Sequence, residues 1–323
     1  MVENYTLAVK TVSRKMSKNH TMYPFMVCAL YGLLCKYKGH EKLVLSLFSK
    51  TDIIFESGSL PEILKRHHIE MDFADPVQDS PDGILTTLGA SNQGHNFVSD
   101  ENGNVYYKRE KPFVVCSTSN TNMTRLLNTF CHEMGHLIKG EVNGYSSKKE
   151  KDSFIYVIRT GLAHYVYRYQ KNFQEMDYIT SFGVLDEAIN CIQTTDVMRE
   201  IPALGEFCED EDIQSFIHSL DVDVMNEDHG YEDMVLLVRL FWNQDSFKEL
   251  VEKNIVTGNI DSIVQEFDSF LGEESFEYLS YLLEEIYFLL ETDNDEELDK
   301  KIDEFKKLVQ EYKKCIKMNK KEN

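Results

Sequence analysis

"NTFCHEMGHLIKG", residues 128–140, places His132 and His136 four positions apart, with Glu133 directly after the first histidine. The reading of this stretch turns on which face of a helix those residues share. Each residue of an α-helix advances by about 100°. With Leu126 set at zero, Met123, Leu126, Leu127, Phe130, Met134, Leu137 and Ile138 fall within an arc of about 120°, which is the width of a core-facing stripe. His132 and His136 sit roughly opposite its centre, and Glu133 lies toward one edge of the histidine side. The spacing predicts a helix over 121–139, with Ser119, Asn120 or Thr121 as its cap and Gly140 as its stop.

Side chains at i and i+4 lie one turn apart on the same face, so the two imidazoles can converge on one ion. The pattern H-E-x-x-H therefore has a mechanical meaning. Two neutral nitrogen ligands and an open coordination position suit zinc, and the adjacent carboxylate can serve as the base. A third ligand is available in "GVLDEAINCIQTTDVMREIP", residues 183–202. There Leu185, Ala188, Ile189 and Ile192 share one face of a predicted helix over 184–200, while Glu187 points nearly the other way. Pro202 ends that helix. The expected site is one zinc ion per chain on His132, His136 and Glu187, with Glu133 as general base.

The residues "HEMGH" and "LDEAIN" together resemble the gluzincins, the zinc metallopeptidases that include thermolysin. The resemblance spans roughly residues 95–200. It implies peptide-bond hydrolysis in a zincin-like core, made of a small antiparallel or mixed sheet, an active-site helix and a second helix carrying the glutamate ligand. It also implies an edge strand just before the active-site helix, antiparallel to a bound peptide. "KPFVVCST" (111–118) is in that place, with Phe113, Val114 and Val115 as substrate-binding residues. An oxyanion donor is required as well, and Tyr178, His164, His229 and Tyr231 are candidates. His229 and Tyr231, in the loop "NEDHGYEDM", are preferred. The sequence departs from the family at two points. Glu187 follows His136 by 51 residues (187 − 136), so the intervening segment is expected to add a helix and loop. Cys191 stands where thermolysin-like enzymes have an aspartate that orients a histidine, leaving Asn190 or Asp186 for that role.

The rest of the chain frames this site. Its 323 residues with 42% hydrophobic content can fill a substantial core. Residues 1–75 read as a helical N-terminal region, in which "MYPFMVCALYGLLCKYKGH" is a buried helix and Ser59 caps another with Pro61 in its first turn. Residues 76–204 read as the catalytic core. Its sheet is expected over 84–118, with strand-like runs "ILTTLGA", "HNFVS", "NVYYKR" and "PFVVCST" and a tight turn at Asn102-Gly103. Residues 205–323 read as an acidic, all-helical C-terminal region, ending in an amphipathic helix with Leu298, Ile302, Phe305 and Leu308 at three- and four-residue steps. The expected class is α+β and mostly helical.

The net charge of −21 repels phosphate backbones and anionic lipid, so neither nucleic acid nor membrane is an expected partner. A peptide or protein substrate is. Seven dispersed cysteines without a C-x-x-C pair, and an N-terminus without a secretory pattern, predict a cytoplasmic protein. The alternative to an enzyme is a catalytically idle zincin-like interaction protein that binds a basic partner through its acidic helices.

Overall fold

The computed structural model describes residues 1–69, 89–92, 95–99, 105–109, 111–119, 121–146, 153–170, 177–227, 231–242, 245–290, 292 and 294–322. Within them the chain is α+β and mostly helical. No described helix is long and apolar enough to cross a membrane. The chain forms two compact units, each assembled from three stretches: Met1–Phe97, Tyr107–Ile138 and Ile192–His229 make the first, and Val98–Tyr106, Lys139–Cys191 and Gly230–Asn323 the second.

The first unit begins with α1 (Val2–Lys15), α2 (Tyr23–Lys36), α3 (Glu41–Lys50), β1 (Asp52–Glu56) and α4 (Leu60–Arg66), followed by β2 (Gly89–Asn92). After β3 (His95–Ser99) and β4 (Val105–Arg109), which pair as a separate two-stranded sheet, come β5 (Phe113–Ser117) and α5 (Met123–Lys139). The expected Asn102-Gly103 turn lies outside the described residues. The C-terminal half of α6 (Gly183–Glu200), a 3-10 turn at Pro202–Glu206, α7 (Glu211–Ser219) and α8 (Val222–Asn226) complete the unit.

Apolar residues occupy every side of α2, and the helix is buried from Phe25 to Leu34. The Phe25 ring lies 5.2 Å from Phe55 of β1, 5.8 Å from Phe130 of α5 and 6.1 Å from Phe216 of α7, an aromatic knot at the centre of the unit. Gly32 allows α2 to cross α6 closely, since a Cβ there would stand 2.8 Å from the Val197 carbonyl oxygen. The predicted start of α4 is present: Ser59 precedes Leu60, Pro61 lies in the first turn, and Glu62 accepts the Ser59 backbone N–H at 3.1 Å.

The region read as helical before residue 76 also contains a strand. β1 pairs in parallel with β5, and β2 pairs antiparallel with β5, giving the order β1-β5-β2. This corrects the edge position expected for the strand that carries Phe113, Val114 and Val115. β5 is the middle strand, with main-chain partners on both sides, so it offers no edge to a peptide. The unalternated run "FVVCS" reflects burial of both its faces. Phe113 and Val115 pack with Leu60, Ile63, Leu64 and Ala90 under α4.

The second stretch of the second unit begins where α5 ends. β6 (Gly140–Ser146), β7 (Ser153–Thr160), β8 (Ala163–Gln170) and β9 (Asp177–Ser181) form a four-stranded antiparallel meander in chain order. The helix and loop expected between His136 and Glu187 are therefore a sheet. Its strands are rich in β-branched and aromatic residues, which suit a pleated surface. β7 and β8 join through the two-residue turn Gly161–Leu162, with Thr160 opposite Ala163 and Gly161 at φ +69°. The N-terminal half of α6 follows. After it come α9 (Glu232–Trp242), α10 (Asp245–Asn254), α11 (Ile260–Leu271), α12 (Ser275–Leu289) and α13 (Asp295–Glu322). The described chain after Pro202 is thus helical, as expected. The buried stripe of α13 is Phe305, Val309, Tyr312 and Ile316, while Leu298, Ile302 and Leu308 lie at its half-buried margin. Tyr312 stacks on Phe267 of α11 at 4.6 Å.

Candidate metal centre

Asn122 starts α5: its Oδ1 accepts the Arg125 backbone N–H at 2.8 Å. The cap is thus one residue beyond the stretch expected to supply it. Ser119 instead uses its hydroxyl to accept the Gly58 N–H at 2.7 Å. Leu126, Leu127, Phe130, Met134, Leu137 and Ile138 are buried as the helical wheel places them, whereas Met123, in the first turn, is 40% exposed. The opposite face is not open either. Cys131, Gly135 and Lys139 are buried, His136 is 9% exposed, and His132 and Glu133 are half-buried. Burial on both sides holds the histidine rotamers more firmly than an amphipathic surface helix would.

The His132 and His136 rings are 4.8 Å apart centre to centre, and their Nε2 atoms approach to 3.1 Å. Two ligand nitrogens about 2.0–2.1 Å from a tetrahedral ion are separated by roughly 3.3 Å, so this spacing fits a shared metal. A carboxylate oxygen of Glu187, on α6, completes the set: one ligand atom from each of His132, His136 and Glu187 lies within 4.8 Å of the other two. The three residues could hold a metal ion. Their donor set is two imidazoles and one carboxylate.

No family model, curated protein or solved structure matches this chain.

Glu133 lies between α5 and the sheet. A Cβ on Gly89, at the start of β2, would stand 3.0 Å from Glu133 Oε1 and 2.6 Å from Thr129 Cγ2, so glycine is needed for the strand to pass this close to the helix. Burial, followed by the nearby Glu133 charge, pushes the Cys116 thiol of β5 well above its usual pKa. Cys116 is therefore an inert core group.

The remaining expected residues are placed as follows. His229 lies outside the described residues. Tyr231 adopts a left-handed backbone (φ 49°) at the start of α9, where its carbonyl accepts the Val235 N–H at 2.8 Å and its ring packs 5.4 Å from Tyr287 of α12. His164 is on β8, not on a helix, opposite Ser181 of β9 and Arg159 of β7. Tyr178 is on β9. Of the two residues considered in place of the family's aspartate, Asp186 accepts the Leu162 backbone N–H at 2.7 Å and Asn190 accepts a hydrogen bond from Lys139 Nζ at 2.7 Å. Cys191 is buried.

Sequence reasoning did not single out Gly89, Lys139 or Arg159. A signal existed for Lys139, which falls on the histidine face of the wheel, one turn beyond His136. Nothing local marks Gly89 or Arg159, whose roles depend on partners distant in the chain.

Proposed function

We propose that this chain is a zinc-dependent peptidase with a gluzincin-like catalytic core, holding one zinc ion on His132, His136 and Glu187. The convergence of those three ligand atoms, with the histidine nitrogens 3.1 Å apart, is the observation that carries the reading. Zinc bound by such a set supplies Lewis acidity at neutral pH, which polarises a carbonyl and acidifies water. The Glu133 carboxylate accepts a proton from water as the water adds to the scissile carbonyl. It then delivers that proton to the departing amine nitrogen, so the C–N bond breaks and a carboxylate and a free amine leave.

The substrate strand in this reading is β2 rather than β5. β2 is the outermost strand of its sheet among the described residues, and Gly89 brings it against Glu133. An extended peptide would add to that edge through main-chain hydrogen bonds, with its scissile bond carried toward the helix.

The test combines metal content with hydrolysis of a peptide library in the presence and absence of chelator. The wild-type chain is expected to carry one zinc and to cut peptides. Glu133→Gln should keep the metal and lose hydrolysis by about 100- to 10,000-fold. Undiminished zinc affinity in both His136→Ala and Glu187→Ala would remove the site, and full activity in Glu133→Gln would remove the base.

A further inference from the structure

The last residue of α5 is a lysine with no solvent exposure. Lys139 Nζ donates to Asn190 Oδ1 at 2.7 Å, and both side chains are fully buried. Lys139 is three residues past His136, and Asn190 is three past Glu187. The hydrogen-bonded pair therefore spans the same 51 residues as the ligand pair (190 − 139 and 187 − 136). A step of three is one helical turn, so the bond ties the two ligand-bearing helices one turn beyond a ligand on each.

The pair is also anchored from outside. Arg159 Nη1 donates to the carbonyl of Lys139 at 2.7 Å, to that of Gly161 at 3.2 Å and to that of Ile255 at 3.0 Å. The turn at Gly161 in turn reaches α6, where Leu162 donates its N–H to Asp186, the residue before Glu187. Glu187 thus sits between two neighbours on α6, Asp186 and Asn190, that are each held by a partner from another element. Burying the ammonium carries a desolvation cost that apolar side chains of the same volume would avoid. What the pair provides is direction.

We infer that Lys139 and Asn190 are positioning residues that fix the register of α5 against α6, and so set the distance of Glu187 from the histidine pair. The inference rests on the metal reading above.

Its test measures zinc affinity by competition with a chromogenic chelator, the visible spectrum of the cobalt(II)-loaded protein, and Tm, for a set of variants. Lys139→Met is expected to weaken zinc binding about 10- to 100-fold, the usual effect of losing a group that orients a metal ligand, and to change the cobalt spectrum. Asn190→Asp keeps an acceptor at the same place and should hold zinc affinity near that of the parent. Lys139→Met combined with Asn190→Leu removes both ends of this hydrogen bond, and its Tm reports whether it is folded. It should retain the weakened affinity. A folded double variant with the parent's zinc affinity and cobalt spectrum overturns the inference and leaves the metal site standing. A parent chain that binds no zinc overturns both.

Discussion

At the scale of single residues, His164 shows how the second unit treats ionisable groups. It is half-buried on β8, and burial is the first cause of its lowered pKa; the Arg159 guanidinium across the strand pair is the second. Asp261 of α11 and Asp186 of α6 pull the other way. Native His164 therefore prefers the neutral imidazole, whereas the unfolded chain takes up a proton near pH 6.5. With the folded pKa depressed, this group's contribution to stability is present above about pH 6.5 and is lost as pH falls through the lower folded value. Urea unfolding followed from pH 7 to pH 5 should show a decline in stability that is shallower in His164→Gln. Equal slopes in the two proteins would mean that Arg159 and burial do not act on His164 as the structure implies. Arg159 itself is held through Nη1 by the carbonyls of Lys139, Gly161 and Ile255.

At the scale of elements, the β7–β8 turn makes a sharp demand. Gly161 has φ +69°, and a Cβ there would lie 2.1 Å from Asp186 Oδ1, the oxygen that accepts the Leu162 N–H. Gly161→Ala combines left-handed strain with displacement of that acceptor and should destabilise the chain by about 2–4 kcal/mol. Gly39→Ala is the control: its φ is +90°, yet nothing lies within 4 Å of the added carbon, so it carries backbone strain alone. A Tm loss in Gly161→Ala no larger than in Gly39→Ala would contradict the Asp186 contact. The same turn shows why this sheet was hard to read in the sequence. Tyr165, Tyr167 and Tyr169 alternate as a strand should, yet the surrounding apolar residues also satisfy helical spacing, and only the pairing across Gly161–Leu162 decides between them. The helix α4 was legible from Ser59 and Pro61 at its start, and α5 and α6 from a one-sided apolar pattern that stops at Gly140 and Pro202. The cap of α5 was not, since Ser119, Asn120, Thr121 and Asn122 are all cap-forming types and local sequence does not choose among them. The middle position of β5 depends on β1, some sixty residues earlier, so no pattern within "KPFVVCST" could reveal it. His132, Glu133 and His136 stand out by spacing within a helix; Lys139 and Asn190 gain their meaning only once two helices have packed.

At the scale of the whole molecule, metal binding and stability are one equilibrium. Ligation requires α5 and α6 to be folded and together, so an ion bound only by the native chain stabilises it by RT ln(1 + [L]/Kd), about 2.7 kcal/mol at a free concentration one hundred times Kd. The net charge of −21 complicates this, because any divalent cation relieves some self-repulsion without a specific site. Ligand chemistry separates the two effects. Imidazole nitrogens suit zinc, whereas magnesium prefers oxygen and water, so magnesium at the same ionic strength reports charge screening alone. Zinc is expected to raise Tm by several degrees more than magnesium does in the parent chain, and chelator should reverse the difference. In Glu187→Ala the zinc-specific increment, taken from that variant's own metal-free Tm, should shrink toward the magnesium value. Equal shifts from zinc and magnesium in the parent chain would assign the whole effect to the acidic surface and none to the three convergent ligands.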